Sequence, residues 1–320
     1  MSGAKQDTYL GELIGQTRVC FSTPRRPPSA QRLEGRVVIL DLAFASGKAS
    51  PPYPSVTHKL IEQLGPRLAC YLDHHDSVFH QDFKDDPRFI LATKAEHGAC
   101  PEMVTEERVK RVGEVDTIVC HNDFDGLASA AKWLSGGREP FEGCDRDAYA
   151  IDTRIGAPSE RAARIDRALR GAPKSFELRW DVIKLMMSGL SDESLWARVD
   201  EAGAQTLALE LEAEQLAEGY RLLSERVAFV DATFAEAPFD RTHLLLKGQE
   251  LTTISVVRVA DSVTFAAPFD SGVNFLTLFG LSGGMPTVVS VPCKQLGRSL
   301  IKVGVPRAKV SRLLDDLDLS

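Results

Sequence analysis

Residues 117 to 134 read TIVCHNDFDGLASAAKWL, which sets His121, Asp123 and Asp125 within five positions, where an apolar strand-like run gives way to an alanine-rich helical run. Asn, Asp and Gly also form turns and cap helices, so a junction alone accounts for part of this composition. Three further apolar runs end in the same way. VVIL meets Asp41, CYL meets Asp73 followed by His74 and His75, and YAI meets Asp152. Two adjacent histidines behind an apolar strand must both find polar partners, which makes DHH harder to read as a simple turn than any single aspartate. Carboxylates gathered in one crevice repel one another and raise each other's pKa unless cations hold them. A mixed imidazole and carboxylate set suits Mn2+, with Fe, Co2+ or Mg2+ as alternatives, and the shortage of thiolates speaks against structural zinc. The number of such residues fits two ions better than one. Two ions roughly 3.5 to 4 Å apart stabilise both the attacking and the leaving oxygen of a phosphoryl displacement.

For these side chains to meet, the runs that carry them must be parallel strands, because ligands of open parallel sheets bind beyond the carboxyl ends of the strands. GRVVILDLAF, PRLACYLDHH, VDTIVCHNDFDG and RDAYAIDTR read as such strands, separated by helical segments such as SVTHKLIEQLG and GLASAAKWLSGG. That alternation predicts an α/β fold with a parallel sheet and crossover helices. STPRRPPSAQ (22–31) reads as an extended loop. From SERAARIDRALRG to YRLLSERV apolar residues recur at three and four, the pattern of a long helical stretch in which Met186 and Met187 are core filler. Strand-like runs return in VAFVD, LTTISVVRVA, SVTFAA and TVVSVP. The expected organisation is an N-terminal extension (1–35), a catalytic domain (36–190), a helical connector (191–225) and a smaller C-terminal α/β domain (226–320).

The bulk properties limit the partners. A chain of 320 residues, 43% hydrophobic and 26% charged, has the composition of an ordinary globular protein. A net charge of −7 argues against a broad basic face wrapping duplex DNA, though it leaves room for a local basic groove. The six cysteines form no CxxC pair and several lie in apolar runs, so they read as small core residues rather than a disulfide or zinc framework. The start MSGAKQDTYLGELIG lacks a signal-peptide pattern, and no run approaches the ~20 apolar residues that span a bilayer. The expectation is a cytoplasmic protein with no membrane partner, and an oligomer is compatible with the sequence.

The chain resembles the DHH phosphoesterase superfamily, which includes RecJ-type exonucleases, small-oligonucleotide ribonucleases, cyclic-dinucleotide phosphodiesterases and manganese inorganic pyrophosphatases. HNDFDG with LASAA resembles the first motif of that family, ILD the second, LDHH the third, and AIDT with IDRAL the fourth; HGACPEMV resembles the helix after the third. The order differs, since ILD and DHH here precede HNDFDG, as a circular permutation would leave them. The resemblance implies that His121 and Asp123 hold one manganese and that Asp125, His74 and Asp152 hold the other, with Asp41 bridging the two. It further implies that His75 faces the substrate phosphate and that Asp73 orients the adjoining histidine. Asp231, in AFVD, rivals Asp152. The C-terminal part is similar in outline to a DHHA1-type substrate-binding domain, offering Arg258 and the glycines Gly283 and Gly284, with Met285 where that family has a histidine. The implied activity is two-metal hydrolysis of phosphodiester bonds in a nucleotide, a cyclic dinucleotide or a short single-stranded nucleic acid, with substrate in the cleft between domains. The alternatives are a small-substrate phosphatase or pyrophosphatase and a non-catalytic nucleotide-binding regulator.

Overall fold

Short runs of apolar residues in the first two hundred positions form a six-stranded sheet. Its strands are β1 (Glu12–Ile14), β2 (Thr17–Ser22), β3 (Val37–Leu40), β4 (Leu68–Asp73), β5 (Phe89–Leu91) and β6 (Thr117–His121). The computed structural model describes residues 12–24, 26–45, 53–280 and 286–318. The sheet order is β1-β2-β6-β3-β4-β5, with β2, β6, β3, β4 and β5 parallel and β1 an antiparallel edge. β6, the last of these six in chain order, therefore lies between β2 and β3. Helices α1 (Thr57–Leu64), α2 (Glu106–Val112), α3 (Phe124–Leu134), α4 (Cys144–Thr153), α5 (Glu160–Gly171), α6 (Phe176–Met187) and α7 (Glu193–Ala217) complete this part.

Both faces of the sheet are covered. Val38, Leu40, Leu72, Ile118 and Cys120 pack with residues of α3, α4, α5 and α6 on one side, while Val37, Ile39, Tyr71 and Val119 pack with Leu60, Ile61 and Leu64 of α1 on the other. This double burial is why VVIL and TIVC read as unbroken apolar runs instead of alternating ones. All four residues of β3 are buried.

The chain divides into two units, residues 1–204 and 205–320. The second has a mixed sheet of β7 (Arg221–Ser224), β8 (Val227–Asp231), β9 (Ile254–Val259), β10 (Ser262–Ala266) and β11 (Val288–Pro292), in the order β11-β10-β9-β8-β7. The β8 and β9 pair is parallel, joined through α8 (Arg241–Leu251), and the other pairs are antiparallel. Helices α9 (Phe275–Phe279), α10 (Leu296–Lys302) and α11 (Arg307–Asp316) follow. Among the described residues no helix is long and apolar enough to cross a membrane.

Three sequence readings are corrected, the first being that YRLLSERV continues the helical stretch: α7 ends at Ala217 and Arg221–Ser224 is β7. RDAYAIDTR is not a strand: residues 144–153 form α4, which buries Cys144, Ala148 and Ile151 at spacings of four and three, a helical stripe. The N-terminal segment is no appendage to a domain beginning at 36, because β2 pairs in parallel with β6 and sets Ser22 opposite His121. The glycine loop with Gly283, Gly284 and Met285 lies outside the described residues.

Candidate metal centre

The carboxyl ends of β3, β4 and β6 are adjacent in the sheet, and each delivers its polar residues to one edge. β3 ends in Asp41, whose backbone adopts φ +55 with its N–H donating to Leu72 O at 2.9 Å. That left-handed conformation costs a non-glycine residue roughly 1 to 2 kcal/mol, and such strain clusters at functional positions. β4 ends in Asp73, with His74 and His75 beyond it. β6 ends in His121, and the chain turns at once into α3, where Asp123 is the N-cap and accepts from Gly126 N at 3.1 Å. The turn is tight enough to require glycine: a Cβ on Gly126 would lie 2.5 Å from His121 O. Asp125, in the first turn of α3, accepts from Cys100 N at 3.0 Å. Asp152 arrives from the last turn of α4 rather than from a strand.

These side chains converge although up to 111 positions separate them, counted from Asp41 to Asp152. His74 Nε2 lies 3.3 Å from Asp41 Oδ1, 3.2 Å from Asp125 Oδ2 and 3.9 Å from Asp152 Oδ2. His121 Nδ1 lies 2.7 Å from Asp123 Oδ2 and 3.8 Å from Asp41 Oδ2. His75 Nδ1 lies 2.8 Å from Asp73 Oδ1 and 3.7 Å from Asp41 Oδ1. Asp41 thus offers one carboxylate oxygen toward His74 and the other toward His121. Three overlapping sets present ligand-type atoms within 4.8 Å of one another: Asp41 with His121 and Asp123, His74 with Asp125 and Asp152, and Asp41 with His74 and His75.

The electrostatics of the cluster ask for cations. Burial pushes the Asp41 carboxyl up, and Asp123 adds to the rise, although His74 opposes it. Burial pushes Asp125 up further, with the charge of Asp41 against it. Burial disfavours charge on His74 too, yet its contacts with Asp125 and Asp41 prevail and lift it to about 11. His121, also buried, is lifted to about 9 by Asp123 and Asp41. Protons on the imidazoles thus balance the carboxylates, and divalent cations can take that place.

The residues fit such ions. His74 Nδ1 is 2.9 Å from His97 O, so a neutral ring donates there and turns the Nε2 lone pair into the cluster, the usual second partner of a metal-binding histidine. Asp41 Oδ1, His74 Nε2 and His121 Nδ1 are buried and, although oppositely charged groups lie close to each, none makes an aligned hydrogen bond, which leaves their lone pairs available to a cation. Imidazole nitrogens with carboxylate oxygens form a donor set that suits Mn2+.

Two polar neighbours carried no signal in the sequence reading. Lys94 Nζ lies 2.5 Å from Asp152 Oδ2, three residues beyond β5. RFILATK is one more apolar run ending in a polar residue, the feature that could have drawn attention to it. His80 Nε2 lies 4.0 Å from Asp73 Oδ2, with its ring against the edge of Phe44. In the second unit, Arg258 Nη1 is 2.7 Å from Asp231 Oδ2, so each neutralises the other, and Asp231 belongs to none of the three ligand sets.

No family model and no curated protein matches the chain. Among solved structures it is similar to a pGpG-specific phosphodiesterase, PggH, from Vibrio cholerae, at 12% identity and a TM-score of 0.40, over 87% of this chain and 99% of that one.

Proposed function

We propose that the first unit is a two-metal phosphoesterase of the DHH type with a permuted motif order, hydrolysing phosphodiester bonds in a nucleotide or a short single-stranded nucleic acid. The observation that carries this reading is Asp41, buried and strained at the end of β3, with one oxygen toward His74 and the other toward His121. His121 and Asp123 would hold one Mn2+, and His74, Asp125 and Asp152 the other, with Asp41 shared. Bound there, a pair of divalent cations supplies a hydroxide nucleophile at neutral pH and offsets the charge that develops on phosphorus-bound oxygens.

The chain's own residues do the rest. Asp73, fully buried, fixes the ring of the partly exposed His75 through Nδ1, and the imidazolium would donate to a phosphate oxygen. Burial works against the charge on His75, but Asp73 prevails and raises its pKa. Phosphates flanking the scissile bond would find positive charge in a groove lined by Arg26, Arg32 and Lys59, with no carboxylate among its described lining residues. Arg26 follows the turn at the carboxyl end of β2, the strand that sets Ser22 beside His121.

The test is hydrolysis of short single-stranded oligonucleotides and cyclic dinucleotides by the chelator-stripped chain reloaded with Mn2+. Turnover that needs the metal and falls at least a thousandfold in Asp41→Ala, with an unchanged circular dichroism spectrum, is the expected result. Full Mn2+ occupancy with no phosphoester cleaved would overturn the reading.

A further inference from the structure

Lys94 sits where a cation of the second set would have to compete with it. Its ammonium is 2.5 Å from Asp152 Oδ2, and that same oxygen is the one 3.9 Å from His74 Nε2. The lysine is largely withdrawn from solvent, with 14% of its side chain exposed. Its backbone is held in a built turn. Thr93 N and Oγ1 donate to Glu96 Oε2 at 2.8 and 2.9 Å, and His97 N donates to Thr93 O. The carbonyl of His97, at the end of that turn, is the partner of His74 Nδ1. One turn therefore fixes both the ring that faces the cluster and the lysine that shares its oxygen.

We propose that Lys94 couples the second metal site to phosphate binding. With the site unfilled the ammonium neutralises Asp152. Were His74, Asp125 and Asp152 to hold a divalent ion, Lys94 would be displaced from Asp152, because two cations at one carboxylate repel each other. The released Lys94, with three N–H donors, then binds a non-bridging oxygen of the substrate phosphate. The second ion is consequently held more weakly than the first, and it is held more firmly once a phosphate gives Lys94 a new partner, as reciprocal linkage requires.

This inference rests on the metal-centre reading above, and the experiment separates the two. Mn2+ is titrated calorimetrically into the chelator-stripped full chain and into Lys94→Met and Lys94→Arg, and inorganic phosphate is then titrated into the Mn2+-loaded proteins. The wild type is expected to bind two ions of unequal affinity. Lys94→Met should tighten the weaker site about tenfold, leave the tighter one unchanged as a sign of intact folding, and weaken phosphate about tenfold; Lys94→Arg should follow the wild type. A weaker site of equal affinity in wild type and Lys94→Met, or one ion in both, overturns the role of Lys94 while leaving a metal centre in place. No saturable Mn2+ in the wild type overturns the metal centre and this coupling together.

Discussion

Asp123 answers two demands with one side chain. Its carboxylate accepts from Gly126 N as the N-cap of α3, and the other oxygen lies 2.7 Å from His121 Nδ1. Capping and the proposed metal ligation are thus compatible, and they can be pulled apart. Asp123→Ser keeps an acceptor for the helix N–H but, like Asp123→Ala, removes the charge beside His121, so Mn2+ affinity should fall at least tenfold while the cap is retained. Asp123→Ala should lose the same affinity and about 1 kcal/mol of stability besides. Urea unfolding of the stripped proteins paired with Mn2+ titration checks both. Undiminished affinity in the serine variant would reduce Asp123 to a cap.

At the level of elements, the approach of α3 to the end of β6 is what brings Asp123 and Asp125 beside Asp41. Gly126 permits it. Alanine is favoured over glycine inside a helix by about 1 kcal/mol, yet here its methyl would meet His121 O and Cα at 2.5 and 2.8 Å, so α3 must back away. Gly126→Ala should destabilise the chain by about 1 to 3 kcal/mol, as overpacking does, and weaken Mn2+ binding with it. Equal or higher stability in urea would contradict the close approach. These elements were legible in the sequence to different degrees. β3, β4 and β6 stood out because burial on both faces leaves a continuous apolar run with a polar end. α4 did not, because Ala148, Tyr149, Ala150 and Ile151 are a short apolar run that fits either period, and only Cys144 and Asp147 upstream extend the helical one. β5 is three half-buried residues, too short to mark Lys94. Nor does a sequence show that β6 inserts between β2 and β3, since neighbours in a sheet are set by crossovers and not by chain order.

At the scale of the whole molecule the question is how a chain of net charge −7 would receive the polyanion proposed as its substrate. Its negative field repels phosphates over a Debye length of ~8 Å at physiological salt, so only local positive charge can draw a strand in. In the proposed reading the groove beside the carboxyl end of β2 would supply it, with Arg26 in the loop after β2, Arg32 and, on α1, Lys59 as its exposed cations. Two phosphates neutralised on a single strand give a salt slope of roughly −1.4, so a fourfold rise in salt should weaken a short oligonucleotide by about sevenfold. That is far shallower than a duplex-binding protein shows. Replacing Arg26 and Lys59 together by alanine should make the slope shallower and raise KM for oligonucleotides, with a smaller change for inorganic pyrophosphate, which has no flanking phosphates to lose contact. The comparison of KM at about 50 and 200 mM salt, wild type against the double variant, decides the matter. An unaltered slope in the variant would take the groove out of substrate binding, and a flat response already in the wild type would point to a small phosphoester as the substrate.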